Sequence, residues 1–386
     1  MPKNETPLRI LEVLEPSGGG SGRHFVDLCA GLQARGHAVT AVYSPVRAEE
    51  RFVRELMALD LAKVTALPML RAVGPKDFSS WRALHRLIRD EGPFDIIHGH
   101  SSKAGALTRL RLPGPHVPRI YTPHAFRTMD PTLSSKGRLV FGAIEGVLGR
   151  FLTDRLICVS QNEYDHALEL GIPATKLAVV VNGVGIMPTG RRADIRGQFG
   201  IPQDALVFGF IGRLSAQKAP ERLITAFAAI AGTVPEARLL IIGSGELEPD
   251  VRRQIAAAGI ADRVVINADL PGSEATQAID VLVMTSRYEA MSYVMLEGAA
   301  AGLPLILTDV GGTSNVLDHD VNGFVVPNTD DTAPLATAMA RLCDAATRAR
   351  LAAAARERSS RYGVDAMVDQ TLDVYRQALA GRQARD

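Results

Sequence analysis

Apolar residues along this 386-residue chain gather in short runs, each followed by a polar or glycine-bearing turn and then a stretch with helical spacing. Residues 8–15 (LRILEVLE), 37–43, 95–100, 119–125, 155–160 and 176–184 read as strands in the first half. Residues 206–214, 237–245, 262–267, 279–286 and 303–309 read as strands in the second. Strands that are apolar on both faces and alternate with helices predict parallel sheets covered on both sides. Between the two series, residues 185–204 hold Gly, Pro and Arg with little periodicity and read as a linker, while 331–386 reads as helices. The pattern predicts an α/β chain of two doubly wound domains facing across a cleft, with functional residues in the turns that follow strands.

Composition excludes several classes. The chain is 46% hydrophobic and 22% charged, which excludes general disorder. A net charge of +1 gives no sign of nucleic-acid binding. Cys29, Cys158 and Cys343 lie far apart without a C-x-x-C, against a disulfide framework or thiolate zinc site and in favour of a reducing compartment. The N-terminal MPKNETPLRILEVLEP lacks the apolar core of a signal peptide. No run approaches the roughly 18 apolar residues of a spanning helix. The expectation is a cytoplasmic protein, with room for a peripheral place on the inner face of the cell membrane.

Charge is unevenly spread. Residues 101–150 hold Lys103, Arg109, Arg111, Arg119, Arg127, Lys136, Arg138 and Arg150 against Asp130 and Glu145, eight minus two, or +6. Within 137–152, Leu139, Val140, Ile144, Val147, Leu148, Phe151 and Leu152 fall at helical spacing. This segment is either a core helix beside solvated arginines or a face that rests on anionic lipid.

Candidate chemistry sits after strands. PSGGGSGRH (16–24) places Gly18, Gly19 and Gly20 before a helix, where backbone N–H groups favour anions. No G-K-[ST] follows, and Arg23 or Phe25 stands where G-x-G-x-x-G needs its third glycine, which counts against a nicotinamide dehydrogenase. In GRLSAQKAPERL (212–223), Arg213 and Lys218 precede a helix that starts near Ala219–Pro220, as a diphosphate clamp would. His124 of TPHAF follows a strand, and His98 and His100 share one face of a strand end. Without a third ligand nearby, the pair reads as hydrogen bonding or packing rather than metal binding. DHD (318–320) resembles a metal-holding D-x-D but lies in a polar turn, so no metal is expected there.

The segment RYEAMSYVMLEGAAAGLPLI (287–306) carries the most information. Glu289 follows a strand. Residues 292–301 read as a helix whose first turn, Ser292, Tyr293 and Val294, offers free N–H groups. Glu297 then lies about one and a half turns in. Hydroxyls at Glu289, a phosphate at the helix N-terminus and a diol at Glu297 repeat the order hexose, diphosphate, ribose of a sugar nucleotide.

These motifs together resemble the family-four retaining glycosyltransferases of the GT-B fold. EAMSYVMLE with GAAAGLPLILTDVGG, NGV (182–184), GRLSAQKAP, GSGEL (243–247) and VNGFVVP (321–327) carry the likeness, while DIIHGHSSKAG (95–105) and YTPHAF resemble the capsule and exopolysaccharide branch. The likeness spans roughly residues 8–327. It implies two Rossmann-like domains, an acceptor-binding 1–184 and a nucleotide-sugar-binding 205–363, with the helix 364–386 crossing back. It implies that Glu297 binds ribose, Glu289 the donor hexose, and Arg213 and Lys218 the diphosphate. Gly18, Gly19 and Gly20 would approach the donor phosphates. His124 would hydrogen-bond the donor sugar, and His98, His100 and Lys103 would lie on the acceptor side. The family generally needs neither metal nor cofactor. The implied activity moves a hexose, most simply from a UDP-sugar, to a lipid-linked saccharide. This chain departs from the family with Ala290 and Ala125 in place of glycine, Asn315 in place of an acid and Gly185 in place of aspartate. A sugar-nucleotide epimerase or phosphorylase of the same fold is one alternative, although only Asp95 and Asp130 offer further acids after the N-terminal strands. A non-catalytic sugar-nucleotide-binding protein is another.

Overall fold

A computed structural model describes residues 6–70, 74–130 and 133–383. The chain divides into two units, residues 1–183 with 364–386, and residues 184–363.

The first unit runs β1 (Arg9–Leu14), α1 (Gly19–Ala34), β2 (Ala38–Tyr43), α2 (Glu50–Met57), β3 (Lys63–Ala66), α3 (Lys76–Glu91), β4 (Ile96–His100), α4 (Ser101–Arg109), β5 (Arg119–Thr122), α5 (Ser135–Leu152), β6 (Arg155–Cys158), α6 (Gln161–Glu169) and β7 (Leu177–Val179). Its strands are all parallel, in the order β3-β2-β1-β4-β5-β6-β7. The second unit runs α7 (Arg192–Gln198), β8 (Leu206–Ile211), α8 (Pro220–Ala231), β9 (Ala237–Ile242), α9 (Glu248–Ala257), β10 (Val264–Asn267), α10 (Gly272–Ala275), β11 (Val281–Met284), α11 (Tyr293–Ala300), β12 (Leu305–Thr308), α12 (Thr313–Val316), β13 (Gly323–Val326), α13 (Ala333–Cys343) and α14 (Ala345–Arg358). Its sheet is also parallel, ordered β10-β9-β8-β11-β12-β13. α15 (Val364–Gln383) then rejoins the first unit.

Both sheets are doubly wound. The strand order reverses at β1/β4 in one and at β8/β11 in the other, and ligands of such sheets bind outside the carboxyl ends of those strands. Central strands such as Leu206–Ile211 are buried along their whole length, as the apolar runs require. Two edge strands escape the pattern. β3 is only partly covered, and β13 opens with a glycine in a polar turn. The expected strand 119–125 stops at Thr122 because His124 and Ala125 adopt left-handed backbone angles, with φ of 53° and 79°.

The linker reading of 185–204 needs correction. α7 buries Ile195 and Arg196. The Arg196 guanidinium donates to the carbonyls of Ala278, Pro202, Gln203 and Ala205 and pairs with Asp280, so this segment is fastened to the second unit. Four carbonyls and one carboxylate offset the cost of burying one cation, a pattern that apolar periodicity does not reveal.

α15 packs on α1 and buries Val368, Leu372 and Tyr375. The helices approach closely at Gly31, where an added Cβ would lie 2.4 Å from Val368 Cγ2. Gly31→Ala is therefore expected to lower stability by about 1–3 kcal/mol through overpacking. Urea unfolding checks this, and a neutral result would mean that α15 can shift without cost.

Candidate functional site

In the second unit, the loops after β8, β9, β11 and β12 meet through backbone contacts that only glycine permits. A Cβ on Gly243 would lie 2.0 Å from Gly212 O, and one on Gly311 would lie 2.3 Å from Glu289 O. The loop that carries Lys218 is tied to the loop that carries Glu289. Arg287 N donates to Gln217 O, Gln217 Nε2 donates to Tyr288 O, and the Thr285 hydroxyl lies within reach of both Lys218 O and Ala219 O. Ala219 caps α8 in a left-handed conformation. These locks set the Lys218 ammonium against Glu289 Oε1. Arg213 in the same loop is exposed and has no ion-pair partner among the described residues.

α11 begins after Ser292, so Tyr293 and Val294 form its first turn. Glu297 is buried in the second turn, and a Cβ on Gly272 would lie 3.7 Å from its Oε2. Glu289 and Lys218 thus meet on the loops after β11 and β8, Arg213 is exposed on the latter, and Glu297 is buried in the helix that follows Glu289. Thr285, which locks the lysine loop, carries no motif and was not singled out in the sequence. DHD is occupied otherwise: Asp318 pairs with Arg358, and Asp320 pairs with Arg341 and Arg350.

In the first unit, the candidate glycines lie inside the first helix rather than ahead of it. Gly18 is the N-cap of α1, and Gly19 and Gly20 form its first turn. A histidine cluster surrounds the switch point. Glu12, buried in β1, accepts from Tyr375 through Oε1 (2.7 Å), and its Oε2 lies 2.8 Å from His100 Nε2. His98 contacts the Tyr375 hydroxyl at 2.7 Å and Thr122 Oγ1 at 2.8 Å. His100 Nδ1 lies 3.0 Å from His124 Nε2. His24 Nδ1 meets Asn182 Oδ1 at 3.0 Å, with its ring edge-on to His124. His98 and His100 are fully buried, which corrects the expectation that they face an acceptor; only His124 is half-exposed. Lys103 is paired with Asp77 Oδ2 at 2.6 Å.

Burial opposes ionisation of Glu12. Charge interaction with His98 and hydrogen bonds from His100 and His98 outweigh it and bring the carboxyl to about 2. Burial drives His100 down to about 4 and puts His24 and His124 well below 6.5, with neighbouring rings adding to the effect. The left-handed turn at His124–Ala125 is held by Glu163, whose carboxylate accepts from Ala125 N and Val159 N, both at 2.7 Å. Burial lifts Glu163 to about 7 against those two donors.

His24, His100 and His124, and likewise Glu12, His98 and His100, lie close enough to share a metal ion. The structure therefore supplies the third ligand that the HGH motif lacked. The 3.0 Å between His100 and His124 is a hydrogen-bond distance. Ligand nitrogens around a tetrahedral zinc stand about 3.3 Å apart, from Zn–N bonds of about 2.0–2.1 Å. As arranged, these groups satisfy one another.

α5 presents a second surface. Leu139, Val140, Ile144, Val147 and Phe151 are 74%, 49%, 45%, 55% and 68% exposed, while Leu148 is buried. The core-helix reading therefore fails for five of the seven apolar residues. The net +6 of this region is mostly internal. Arg109 is buried on Glu145 and over the Tyr121 ring, Arg111 pairs with Asp154, Arg127 pairs with Asp130, and Arg119 is buried. Lys136, Arg138 and Arg150 remain exposed. No helix among the described residues is long and apolar enough to cross a membrane.

Comparison with known proteins follows this division. Residues 18–186 match Glycosyltransferase Family 4, and residues 191–358 match Glycosyl transferases group 1. The chain is 30% identical over 322 residues to a D-inositol 3-phosphate glycosyltransferase of Xylanimonas cellulosilytica, covering 77% of this chain and 75% of the relative. It is 30% identical over 269 residues to the UDP-Gal:alpha-D-GlcNAc-diphosphoundecaprenol alpha-1,3-galactosyltransferase of Escherichia coli, covering 66% and 68%. Among solved structures, Anabaena HepE in complex with UDP and glucose superposes with a TM-score of 0.78 at 19% identity, covering 96% of this chain and 100% of that one. A glycosyltransferase from Rickettsia africae superposes with a TM-score of 0.80 at 18% identity, covering 97% and 99%. At these identities the two structures share the fold.

The histidine cluster gives stability a defined pH dependence. Unfolded histidines bind protons near 6.5, whereas in the fold His100 does so only near 4 and His24, His85, His124 and His166 are lowered too. The unfolded state then holds more protons across that window, so stability is lost as pH falls from 6.5 toward 4. Glu163, raised from 4.5 to about 7, and Asp27, raised from 3.8 to about 6, both by burial, act in the opposite direction but are two groups against five. The urea midpoint is expected to be lower at pH 5 than at pH 7. Equal midpoints would mean that the rings titrate freely in the fold.

Proposed function

Because the chain belongs to the GT-B glycosyltransferases that join a Family 4 unit to a group 1 unit, we propose that it moves a hexose from a UDP-sugar to a hydroxyl of a lipid-linked saccharide. Transfer occurs with retention and needs no metal. The observation that carries this reading is the surface of the second unit, where Lys218 and Glu289 are paired, Arg213 is open, and the N-terminus of α11 lies between Glu289 and Glu297. In this reading Glu297 grips the ribose diol and Glu289 the hexose hydroxyls. Arg213, Lys218 and the first-turn N–H groups at Ser292, Tyr293 and Val294 meet the diphosphate. The bond between the anomeric carbon and the phosphate oxygen breaks, and charge builds on the β-phosphate. Fixed cations and N–H groups stabilise that charge without reorganising. The acceptor oxygen bonds to the anomeric carbon, and its proton passes to the leaving phosphate. For Gly18, Gly19 and Gly20 the reading keeps the approach to the donor phosphates, and for His124 the hydrogen bond to the donor sugar, that the family resemblance implies.

The name of the Escherichia coli relative supports the lipid-linked acceptor, and the complexes of HepE with UDP support the nucleotide. The exposed face of α5 fits such an acceptor. Five apolar side chains and three exposed cations suit the inner surface of a cytoplasmic membrane in polysaccharide synthesis, with each cation contributing on the order of 1 kcal/mol on anionic lipid. The name of the Xylanimonas relative favours inositol 3-phosphate instead. That acceptor calls for a cation near His124, and Lys103 is already held by Asp77.

UDP release from UDP-glucose or UDP-galactose, measured with an undecaprenyl-diphosphate-linked GlcNAc and with inositol 3-phosphate, decides between the acceptors. Activity with the lipid-linked sugar alone is expected, in EDTA as well as without it. Release with neither acceptor would overturn the reading. Glu297→Ala is expected to weaken UDP binding, while Glu289→Ala leaves it within about twofold and lowers turnover by about 10²–10³. Equal loss of UDP affinity in both variants would reverse the assigned order along the ligand. In sedimentation with anionic vesicles, binding is expected to fall with added salt and with Phe151→Asp. A protein that stays in the supernatant at low salt has no membrane face.

A further inference from the structure

The first unit contains a hydrogen-bonded chain behind His124, of which the proposed mechanism uses only that last ring. It starts at a carboxylate with no access to solvent. Glu12 Oε1 takes the Tyr375 hydroxyl proton, so Oε2 is left to accept from the only ring nitrogen at 2.8 Å, His100 Nε2. An ionised carboxylate cannot donate, which places the His100 proton on Nε2. A neutral imidazole carries one proton, so His100 Nδ1 is a lone pair. His124 Nε2, 3.0 Å away, must then be the donor of the pair. His124 is left with an unprotonated Nδ1, and that nitrogen takes no hydrogen bond from any described residue. His124 is also the half-exposed ring of the cluster.

No other group around this ring can reverse the assignment. His24 meets it edge-on at 4.6 Å between centroids and spends its own Nδ1 on Asn182. His98 turns its nitrogens to Tyr375 and Thr122, and its Nδ1, 3.4 Å from Glu12 Oε2 as well, can only donate there, which leaves the second lone pair of that oxygen to His100. Thr128 and His166, on the neighbouring loop and helix, are bonded to each other.

We propose that Glu12, acting through His100, is a positioning residue that fixes the tautomer of His124, so that His124 presents a hydrogen-bond acceptor, Nδ1, and not a donor. The ligand group it suits is a hydroxyl that donates. A hexose hydroxyl can then donate to His124 while its own lone pairs remain free for an N–H group elsewhere. A tautomer with Nδ1–H would take up one of those lone pairs and reverse the polarity of the contact. The link to catalysis rests on the glycosyltransferase reading above; the tautomer itself does not.

Glu12→Gln is the informative change because it keeps the shape and replaces a carboxylate oxygen with an amide that can donate. With the amide N–H directed at His100 Nε2, that nitrogen becomes the lone pair, the proton moves to Nδ1, and His124 becomes the acceptor at Nε2 with its own proton on Nδ1. Long-range ¹H–¹⁵N correlation spectra of histidine-labelled full-length protein read this directly. Wild type is expected to show His124 protonated on Nε2 alone, and Glu12→Gln on Nδ1 alone. Tyr375→Phe removes a different hydrogen bond from the same carboxylate. It is expected to lose stability but keep the wild-type tautomer, which separates positioning from a structural role. A wild-type His124 protonated on Nδ1, or a tautomer unchanged in Glu12→Gln, overturns the proposal. The wild-type spectrum decides even if the variant fails to fold. With UDP-glucose or UDP-galactose, UDP release by Glu12→Gln is expected to fall about tenfold, the equivalent of one hydrogen bond near 1.4 kcal/mol. A swapped tautomer with full turnover would leave the relay standing and remove His124 from the transfer reaction.

Discussion

One negative charge with no access to solvent organises the first unit. Glu12 sits in β1, the strand at which the order of the sheet reverses, and its oxygens draw in His100 from β4 and Tyr375 from α15. His98, also on β4, joins through the tyrosine and reaches Thr122 on β5. Three adjacent strands and one helix therefore share a single polar core. Removing a carboxylate from water is costly unless donors converge on it. Here the donors arrive from elements distant in sequence, so the charge is tolerated only when the tertiary arrangement is correct. That requirement fixes the register of the strands at the place where the fold presents its ligand-facing loops.

Around the loops that carry Lys218 and Glu289, the second unit relies mainly on neutral locks, with the Arg287 guanidinium adding a bond to Ala216 O. Thr285, Gln217 and the backbone at Gly212, Gly243 and Gly311 hold the four loops after β8, β9, β11 and β12 close to one another. The ionisable residues of that surface, Arg213, Lys218, Glu289 and Glu297, are carried by this frame and do not build it. Their side chains can be changed with little effect on the loops beneath. In the first unit the chemistry and the framework are the same atoms.

What could be read from the sequence follows the same contrast. Strands such as 206–211 announce themselves because burial on both faces demands an unbroken apolar run, and the turn after each strand is where Glu289, Lys218 and His124 were sought and found. Edge strands β3 and β13 lack that demand, and α7 hides because its anchor is an arginine among carbonyls. Glu12 was the main omission. Its signal was present, an acid in the middle of LRILEVLE, where a central strand has no solvent to offer. Its partners could not be read locally, since Tyr375 lies 363 positions away. Hydrogen-bond chains of this kind have no period, so spacing rules do not detect them.

The return of α15 bears on the order in which the molecule can be made. A ribosome delivers β1 well before α15, with the whole of residues 184–363 between them. Until Tyr375 emerges, Glu12 lacks one of its donors, and the groove on α1 at Gly31 has nothing to cover it. The second unit needs no later residue, so it is free to finish while the first is still open. Synthesis therefore runs against the usual sequence in which the N-terminal domain closes first. The polar core that carries His124 is sealed only by the final helix, and a chain that stops short of it leaves the earliest part of the protein as the unfinished part.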